Sequence, residues 1–544
     1  MGKRLRACEA CHNLKAKCEP SINDPSVCDR CTRSNLICVP AARRWQRDRI
    51  AELEEQVKNL QERIETAESS AYRHGTSAVA TSVPSGRTCL AFIDAHLDHE
   101  SQIRSLEACS IAVRSFWPII PTLSGSSTRS WLESLRTETP IKLAAMFAFT
   151  LSPTGTTIDS QTQDELRTRL LEILGSAAVG LEKPSHDLIQ AALVAGIWTK
   201  PSLNGKHSNS TQLVTLAQDL AVDFGLGRPS IQSSPAAWFF LLQVDTTPEM
   251  QQTWLASWMA SAMTAIGLRR VHTLDWGLSY QDALRALEED HLDPLFLEIL
   301  YAVRLHAEVA NALELCHLHS FHGIESDIVR ATQADARGRL EELGSRPLAK
   351  HPQLRFLHTL VIIYVNEPVL HSETNKKLFG APYLAERIGV DEFARPPEVT
   401  RAVEVALRSL VEACHVVIEL VLNMETGFIL DQPSLWFGLA VSYVLSVLVK
   451  AFVAVTAPGN TYGQVVSRDA IRIREAVTNL MVVNSSLLKL DPYLGNWNTR
   501  IIGSVEWLGT WLDDYEAVIE RYEANLQREV AESAIGSLSH NRHL

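Results

Sequence analysis

The stretch Cys8–Cys38 reads CEACHNLKAKCEPSINDPSVCDRCTRSNLIC and contains cysteines with the spacing C-x2-C-x6-C-x9-C-x2-C-x6-C. The second three cysteines repeat the first three with every position shifted by twenty residues, which indicates an internal duplication. Two C-x-x-C turns, each followed by a third cysteine at a fixed distance, are typical of a metal site. The predicted ligands are Cys8, Cys11, Cys18, Cys28, Cys31 and Cys38.

The number of cysteines limits the kind of metal site. A structural zinc ion takes four ligands in a tetrahedron, so two separate sites would need more thiolates than the six present. Six thiolates are enough if two of them each bridge both ions, and the duplication suggests that the equivalent residues Cys8 and Cys28 are the bridges.

Other uses of the cysteines fit less well. An iron–sulfur cluster takes four cysteines and would leave two unused. Disulfides are typical of small secreted domains, whereas this chain is long and starts MGKRLRAC, without the apolar core of a signal peptide. We therefore expect two Zn²⁺ ions.

The cysteine pattern resembles that of the fungal binuclear zinc-cluster transcription factors, in RACEACHNLKAKC (6–18) and CDRCTRSNLIC (28–38). The resemblance implies that the first and fourth cysteines bridge the ions. It also implies that the first helix presents its C-terminal end to the DNA major groove, where Lys15 reads a CGG triplet. Further contacts to the DNA backbone are implied for Arg6, His12 and Lys17.

Charge is divided unevenly along the chain. The net formal charge is −12. Residues 1–49 carry 11 Lys and Arg against 5 Asp and Glu, a balance of +6, so the remainder has a balance of −18. The positive charge therefore lies at the cysteine-rich end, where neutralisation of nucleic-acid phosphates would need it. We assign residues 1–40 to a zinc-cluster DNA-binding domain.

Residues 41–49 form a basic linker in which Arg43, Arg44 and Arg47 continue the positive surface. Such a run is either a solvated connector or a segment that contacts phosphates or serves nuclear import. At this position the second interpretation is at least as strong, so the three arginines are included among the candidate DNA-binding residues.

A heptad pattern follows over residues 50–68 and predicts a short coiled-coil helix. β-Branched residues at a and leucine at d favour a parallel two-stranded coil. The pattern spans fewer than three heptads, and its alternative is a single amphipathic helix packed on the rest of the protein. We favour a homodimer held by Ile50, Leu53, Val57, Leu60 and Ile64.

The rest of the chain is predicted to be a flexible linker over 69–88, a large helical region over 89–530 and a tail over 531–544. Apolar residues in the helical region recur at steps of three and four, and no sustained period-two pattern indicates strands. The text LAQDLAVDFGLGRP (216–229) and TWLASWMASAMTAIGLRR (253–270) resembles the regulatory middle-homology region of the same family, especially its leucine-biosynthesis and protease-activator branch. The fold class is therefore mainly α.

Several patterns in the helical region have competing interpretations. The apolar stretch 432–449 reaches the lower length limit of a membrane span, but a buried core helix is favoured. Cys316, His319 and His322 recur at steps of three and could share a helix face around a metal, although capping of a helix end is favoured. The acidic and aromatic text at 506–526 is typical either of a transactivation segment or of a packed last helix, and packing is favoured.

These observations predict a nuclear, sequence-specific DNA-binding protein that regulates RNA polymerase II genes. It would bind CGG-type half-sites in double-stranded DNA as a dimer, and activate a metabolic or biosynthetic gene set. No signature of a nucleotide-binding, hydrolase, metalloprotease or kinase site is present, so no enzymatic activity is expected. Coactivators and a small-molecule effector remain open as partners, and no membrane is expected. The alternative is a zinc-module adaptor for other proteins, or a repressor without direct base readout.

Overall fold

The computed structural model describes part of the chain, and the chain divides into two compact units, residues 1–83 and 84–544. The predicted coiled coil over 50–68 lies outside the described residues. The described ranges are 7–8, 10–11, 17–21, 27–39, 85–110, 113, 117, 127–151, 158–201, 208–227, 246–272, 274–290, 293–373, 375–379, 399–457 and 461–540.

In the first unit, one helix is described over its full length, α1 (Asp29–Arg33). Ala10 and Cys11 are also helical. An isolated antiparallel bridge joins Pro20 to Cys28 just before α1. The backbone N–H of Ser21 donates to the carbonyl of Val27 over 2.9 Å, which closes the chain between the two cysteine repeats into a loop. The described residues of this unit are therefore held together by a short helix and a few turn hydrogen bonds.

The second unit is built from helices, and the predicted mainly α fold is confirmed; no β-strand occurs among the residues described here. A π-helical turn at Met146–Thr150 extends the helix Pro140–Ala145, and 3-10 turns lie at Glu367–Leu370, Lys376–Phe379 and Tyr462–Gln464. The helices are α2 (Ser85–His96), α3 (His99–Ser110), α4 (Thr128–Glu138), α5 (Pro140–Ala145), α6 (Ser160–Ala178), α7 (His186–Ile197), α8 (Ser210–Phe224), α9 (Pro248–Gly267), α10 (Leu278–Asp290), α11 (Pro294–Ala312), α12 (Asp327–Gly344), α13 (Pro352–Asn366), α14 (Arg401–Leu422), α15 (Thr426–Asp431), α16 (Gly438–Thr456), α17 (Arg468–Ile471), α18 (Ile473–Leu490), α19 (Trp497–Gly503) and α20 (Val505–His540).

Local sequence signals set the ends of these helices. At the start of α9, the Thr247 side chain accepts the N–H of Met250 and Pro248 occupies the first turn, where its missing N–H costs nothing. At the end of α8, Gly225 adopts a left-handed conformation with φ of 99°. That conformation favours glycine and stops a helix. Within the stretch LAQDLAVDFGLGRP (216–229), the helix therefore stops at the first glycine.

The core of the second unit is a single continuous apolar cluster. Within it, α9 packs against α7, α8, α10 and α11, while α16 packs against α14, α18 and α19. Helix α16 is the one described helix that is long and apolar enough to cross a membrane, and 94% of its most apolar window is buried inside the protein. It is thus buried as predicted, but it begins at Gly438 because residues 434–437 form a turn.

Helix α20 packs on the body through its first half. Its apolar residues there recur at steps of three and four, which places them on one face of a helix. The segment is a packed last helix, as the sequence favours. The buried residues of that face are Val505, Leu508, Leu512, Tyr515 and Ile519.

Candidate metal centre

The second C-x-x-C turn owes its shape to the start of α1. Cys28 is the N-cap of this helix, and its sulfur accepts the backbone N–H of Cys31 over 3.4 Å. The helix ends within two turns, and Asn35 adopts a positive φ of 49°. The N–H of Leu36 then donates to the carbonyl of Cys31 over 2.9 Å. The chain therefore turns back towards the cluster, where the sulfur of Cys38 joins the others.

The two repeats place their sulfurs in matching ways. The backbone N–H of Cys8 donates to the sulfur of Cys18 over 3.4 Å. In the second repeat, the N–H of Cys28 donates to the sulfur of Cys38 over the same distance. The duplication seen in the sequence is therefore also a duplication of hydrogen bonding, in which the third cysteine of each repeat folds back onto the first.

The six sulfurs form two overlapping groups of four, which have two sulfurs in common. The four sulfurs of each group all lie within 4.8 Å of one another. Cys8 and Cys28 belong to both groups, and they are the pair that the repeat suggests as bridges. The separate members are Cys11 and Cys18 in one group, and Cys31 and Cys38 in the other.

The distances between sulfurs fit tetrahedral zinc. With a zinc–sulfur bond of about 2.3 Å, the edge of a regular tetrahedron of sulfurs is about 3.8 Å. The sulfur of Cys8 lies 3.7 Å from that of Cys28 and 3.6 Å from that of Cys31. The sulfur of Cys11 lies 3.7 Å from that of Cys28. All six thiols are free of disulfides, so the cluster could hold two metal ions and is compatible with zinc.

Hydrogen bonding and burial act differently on the shared and the separate cysteines. The N–H of Cys31 lowers the pKa of Cys28 to about 6, and the N–H of Cys11 lowers the pKa of Cys8. Burial instead raises the pKa of Cys11 to about 12 and also raises that of Cys31. Cys18 and Cys38 also accept backbone N–H groups, but burial and the neighbouring thiols outweigh these bonds and raise their pKa. The two shared sulfurs are thus the ones whose thiolate form, the form that binds metals, is favoured overall.

Of the predicted DNA-binding residues, Lys17 is the one that the structure describes. Its ammonium lies 2.6 Å from a carboxylate oxygen of Glu19, and both side chains are exposed. The hydrogen bond to Glu19 raises the pKa of Lys17. The remaining candidates lie outside the described residues, and so does the predicted dimer interface. They are Arg6, His12, Lys15, Arg43, Arg44 and Arg47 for DNA, and Ile50, Leu53, Val57, Leu60 and Ile64 for dimerisation.

The histidine-rich stretch after α11 does not form the helix face that its spacing suggests. Helix α11 ends at Ala312, and residues 313–316 are turns that include Glu314 with a φ of 48°. His322 lies 3.2 Å from a carboxylate oxygen of Glu314. Among the residues that the structure describes, the cysteine cluster supplies the groups arranged to hold a metal ion, and this stretch is not one of them.

Two features were missed in the sequence analysis. The segment after α1 exposes Leu36, Ile37 and Val39, and Ile37 is 88% exposed. Three apolar residues within four positions signal this patch, although only the structure shows that they face outwards. In the second unit, Arg269 and Glu367 form an ion pair in which both side chains are 1% exposed.

The buried pair is completed by further hydrogen bonds to the Glu367 carboxylate. The Tyr443 hydroxyl donates to Glu367, and His371 lies 2.9 Å from the other carboxylate oxygen. The Arg269 guanidinium also lies 4.9 Å from the ring centre of Tyr443 and of Tyr364. Burial alone would raise the pKa of Glu367, but Arg269 and His371 lower it to about 2. The carboxylate is therefore charged in the core.

Comparison of the chain with known protein families, with curated proteins and with solved structures finds no match. The interpretation of the site therefore depends on its residues and geometry.

Proposed function

We propose that this protein is a sequence-specific DNA-binding regulator of transcription whose N-terminal module is a two-zinc cluster. The observation that carries the proposal is the pair of four-sulfur groups that share Cys8 and Cys28. This arrangement accommodates two ions with six cysteines, as the resemblance to the fungal binuclear zinc-cluster transcription factors implies. Metal binding by so small a module contributes the free energy of folding that its few buried residues cannot supply.

The charge of the N-terminal end supports DNA as the partner. Residues 1–49 have a balance of +6 within a chain of net charge −12. Contacts from basic residues to phosphates hold a protein on the duplex and make its affinity salt-dependent. In the proposed complex these contacts come from Arg6, His12, Lys17, Arg43, Arg44 and Arg47.

Base recognition is assigned to Lys15, which would bind guanine O6 and N7 of a CGG triplet in the major groove. A good base contact of this kind contributes roughly 1–3 kcal/mol of discrimination. The helix over 50–68 would join two copies of the chain into a dimer, and each copy would bind one half-site of the DNA. The protein would act in the nucleus. The helical second unit would regulate activity without catalysing a reaction, and its target genes would belong to a metabolic or biosynthetic set.

A binding series on the full chain tests the proposal. Zinc content is measured first, and fluorescence anisotropy then compares a duplex with paired CGG triplets and a scrambled duplex at several salt concentrations. We expect two zinc ions per chain, tighter binding to the CGG duplex and loss of binding on chelation. Zinc-free protein that binds the CGG duplex equally well would overturn the proposal.

A matched pair of variants separates reading from positioning. Lys15→Ala should lose about 1–3 kcal/mol on the CGG duplex and little on the scrambled one. Lys17→Ala should weaken binding to both duplexes alike and reduce the salt dependence. Equal losses for Lys15→Ala on the two duplexes would contradict its assigned role.

A protein–protein adaptor is the second candidate, and the exposed patch of Leu36, Ile37 and Val39 favours it. Exposed apolar side chains that cluster together mark interaction surfaces. The same anisotropy series separates the two candidates, because an adaptor would show no salt-dependent binding to random DNA. Ile37→Ser, which removes the apolar side chain without adding a negative charge, should leave DNA binding intact if DNA is the partner of the module.

A further inference from the structure

A cleft of about 490 Å³ opens in the second unit between the end of α8, the first turns of α9 and the start of α10. Its volume lies within the range of about 300–1,000 Å³ that is usual for small-molecule sites. We call it the Trp254 cleft, because that ring forms its inner wall. Its main described lining residues are Leu226, Gly227, Gln251, Trp254, Leu278 and Asp282.

The inner wall of the Trp254 cleft is fixed by close packing. Trp254 stacks on Tyr280 of α10, with ring centres 4.5 Å apart and planes 11° from parallel. The backbone also passes so close to this ring at Gly227 that a Cβ there would come within 2.4 Å of the indole. Gly227 also has a φ of 75°, which favours glycine. The ring is therefore held in one position before any ligand arrives.

The inner wall contains two buried polar atoms whose hydrogen-bonding capacity is unused among the described residues. The indole nitrogen of Trp254 and the amide oxygen of Gln251 are both buried, and neither has a hydrogen-bond partner in the part of the chain that the structure describes. Trp254 as a whole is 6% exposed. A buried polar atom without a partner is costly, because it has lost its hydrogen bonds to water. A ligand that supplied both partners would recover this cost.

The two atoms are complementary in kind and close in position. The indole N–H is a donor, whereas the amide oxygen is an acceptor. Gln251 and Trp254 are three residues apart on α9, which places them on the same helix face, and both line the cleft. A ligand group with an acceptor beside a donor, as in an amide, matches this pair.

The mouth of the cleft favours an uncharged ligand with an apolar part. Leu278 is 81% exposed there, so it offers apolar surface that a bound molecule would cover. Among the lining residues that the structure describes, Asp282 is the one with a charge, and it already lies 3.1 Å from Arg285. An anion would meet no cation in the described lining, and a cation would compete with Arg285.

We propose that the Trp254 cleft binds a small uncharged molecule that carries an amide-type edge next to an apolar body. The carbonyl of the ligand accepts the Trp254 N–H, its N–H donates to the Gln251 side chain, and its apolar part packs against Leu226 and Leu278. This site lies wholly within the second unit, so it does not depend on the function proposed for the zinc module.

Benzamide is a suitable probe because it combines an amide edge with an apolar ring. It is titrated into the full-length protein labelled with ¹⁵N at tryptophan, and indole N–H resonances are followed by NMR. We expect one resonance to move with saturation, namely the one that is missing from Trp254→Phe. Benzoate, which cannot donate and is charged, should bind at least tenfold more weakly than benzamide. Ethylbenzene, which has no polar edge, should also bind at least tenfold more weakly.

Variants test the two proposed hydrogen bonds separately. Trp254→Phe keeps the stacked ring, and Gln251→Met keeps the side-chain length, so each removes mainly one polar atom. Each should weaken benzamide binding about tenfold, as expected for the loss of one hydrogen bond. Gln161→Met, at an exposed position of α6 and outside the cleft, should bind like the unaltered protein. An unmoved Trp254 resonance would overturn the proposal. Equal affinities for benzamide and ethylbenzene would also overturn it, as would full affinity in Gln251→Met.

Discussion

The two units of this protein hold their shapes by different means. In the first unit, the buried cluster consists of Cys8, Cys11, Cys28 and Cys31, with small neighbours such as Ala10 packed against it. In the second unit, one apolar core extends through the helices and includes fully buried tryptophan and phenylalanine side chains. A short segment with a sulfur core depends on bound metal to fold, whereas a large apolar core does not. We therefore expect the fold of the first unit to depend on bound metal and that of the second unit not to.

Removing one shared sulfur should break the first unit and leave the second intact, which is the largest effect we expect. Because Cys28 belongs to both four-sulfur groups, Cys28→Ser should reduce zinc binding at both positions. Structural zinc contributes about 10–16 kcal/mol at neutral pH, far more than any single contact below. Zinc content and hydrogen exchange measure the result. Cys316→Ser, a thiol of the second unit, is the control, and full zinc content in Cys28→Ser would contradict the shared role.

The second unit should be most sensitive at its buried ion pair. Glu367→Leu removes the buried carboxylate that pairs with Arg269, which should cost about 3–5 kcal/mol in the free energy of unfolding. Adding Arg269→Met should recover much of this loss, because the pair is then replaced by apolar groups. Arg129→Met removes an exposed pair with Glu100 and should cost at most about 1 kcal/mol. Chemical denaturation followed by circular dichroism provides the comparison.

A double variant as unstable as Glu367→Leu alone would show that the charge of Arg269 is not the cause of the loss. The hydrogen bonds from Tyr443 and His371 to the carboxylate would then be the main contribution of Glu367.

Acid should destabilise the second unit through its buried histidines. His306 donates from Nε2 to the carbonyl of Leu357 over 2.7 Å, and burial lowers its pKa to about 4. An unfolded histidine has a pKa of about 6.5, so the unfolded state binds the proton first. The stabilisation from His306 is present above the unfolded pKa and is lost as the pH falls from about 6.5 towards 4.

His306→Gln keeps a side-chain N–H donor and removes this titration. Between pH 8 and pH 5, the unaltered protein should therefore lose about 2 kcal/mol more stability than the variant. Unfolding midpoints in denaturant across this pH range measure the difference. Parallel pH profiles for the two proteins would show that His306 does not contribute to the acid sensitivity.

The smallest expected effect concerns the exposed ion pair between Glu19 and Lys17 in the first unit. Phosphate would have to displace this carboxylate, so Glu19→Gln should raise DNA affinity. An exposed ion pair contributes about 0.2–1 kcal/mol, which corresponds to at most about a fivefold change in Kd. In a Lys17→Ala background the gain should disappear. A gain that persists there would show that Glu19 acts through general charge and not through Lys17.

How far the sequence predicted these features depends on how local they are. The spacing of the cysteines determined which residues would meet, because each C-x-x-C turn and its third cysteine lie on a short piece of chain. Steps of three and four likewise predicted the helices and the packed face of α20. The metal-site interpretation of the histidine stretch, which was not the favoured one, is not supported. Its spacing has meaning only on a helix, and α11 ends before the stretch.

Features that join distant parts of the chain were not predictable. Arg269 and Glu367 lie 98 residues apart, and neither has a neighbour in sequence that indicates a buried ion pair. The Trp254 cleft depends on unpaired atoms of Gln251 and Trp254. Whether a polar atom finds a partner depends on the packing of several helices, so a single sequence does not reveal it.

The sharing of Cys8 and Cys28 between the sulfur groups has a consequence for how metal is taken up. The first ion to bind orders two of the four ligands that the second ion needs, so part of the entropic cost of the second site is met in advance. We therefore expect uptake to be cooperative, with few molecules that carry a single ion at intermediate metal supply. Cells short of zinc would then contain fully loaded and empty molecules in varying proportion, and the response of this protein to metal would be steep.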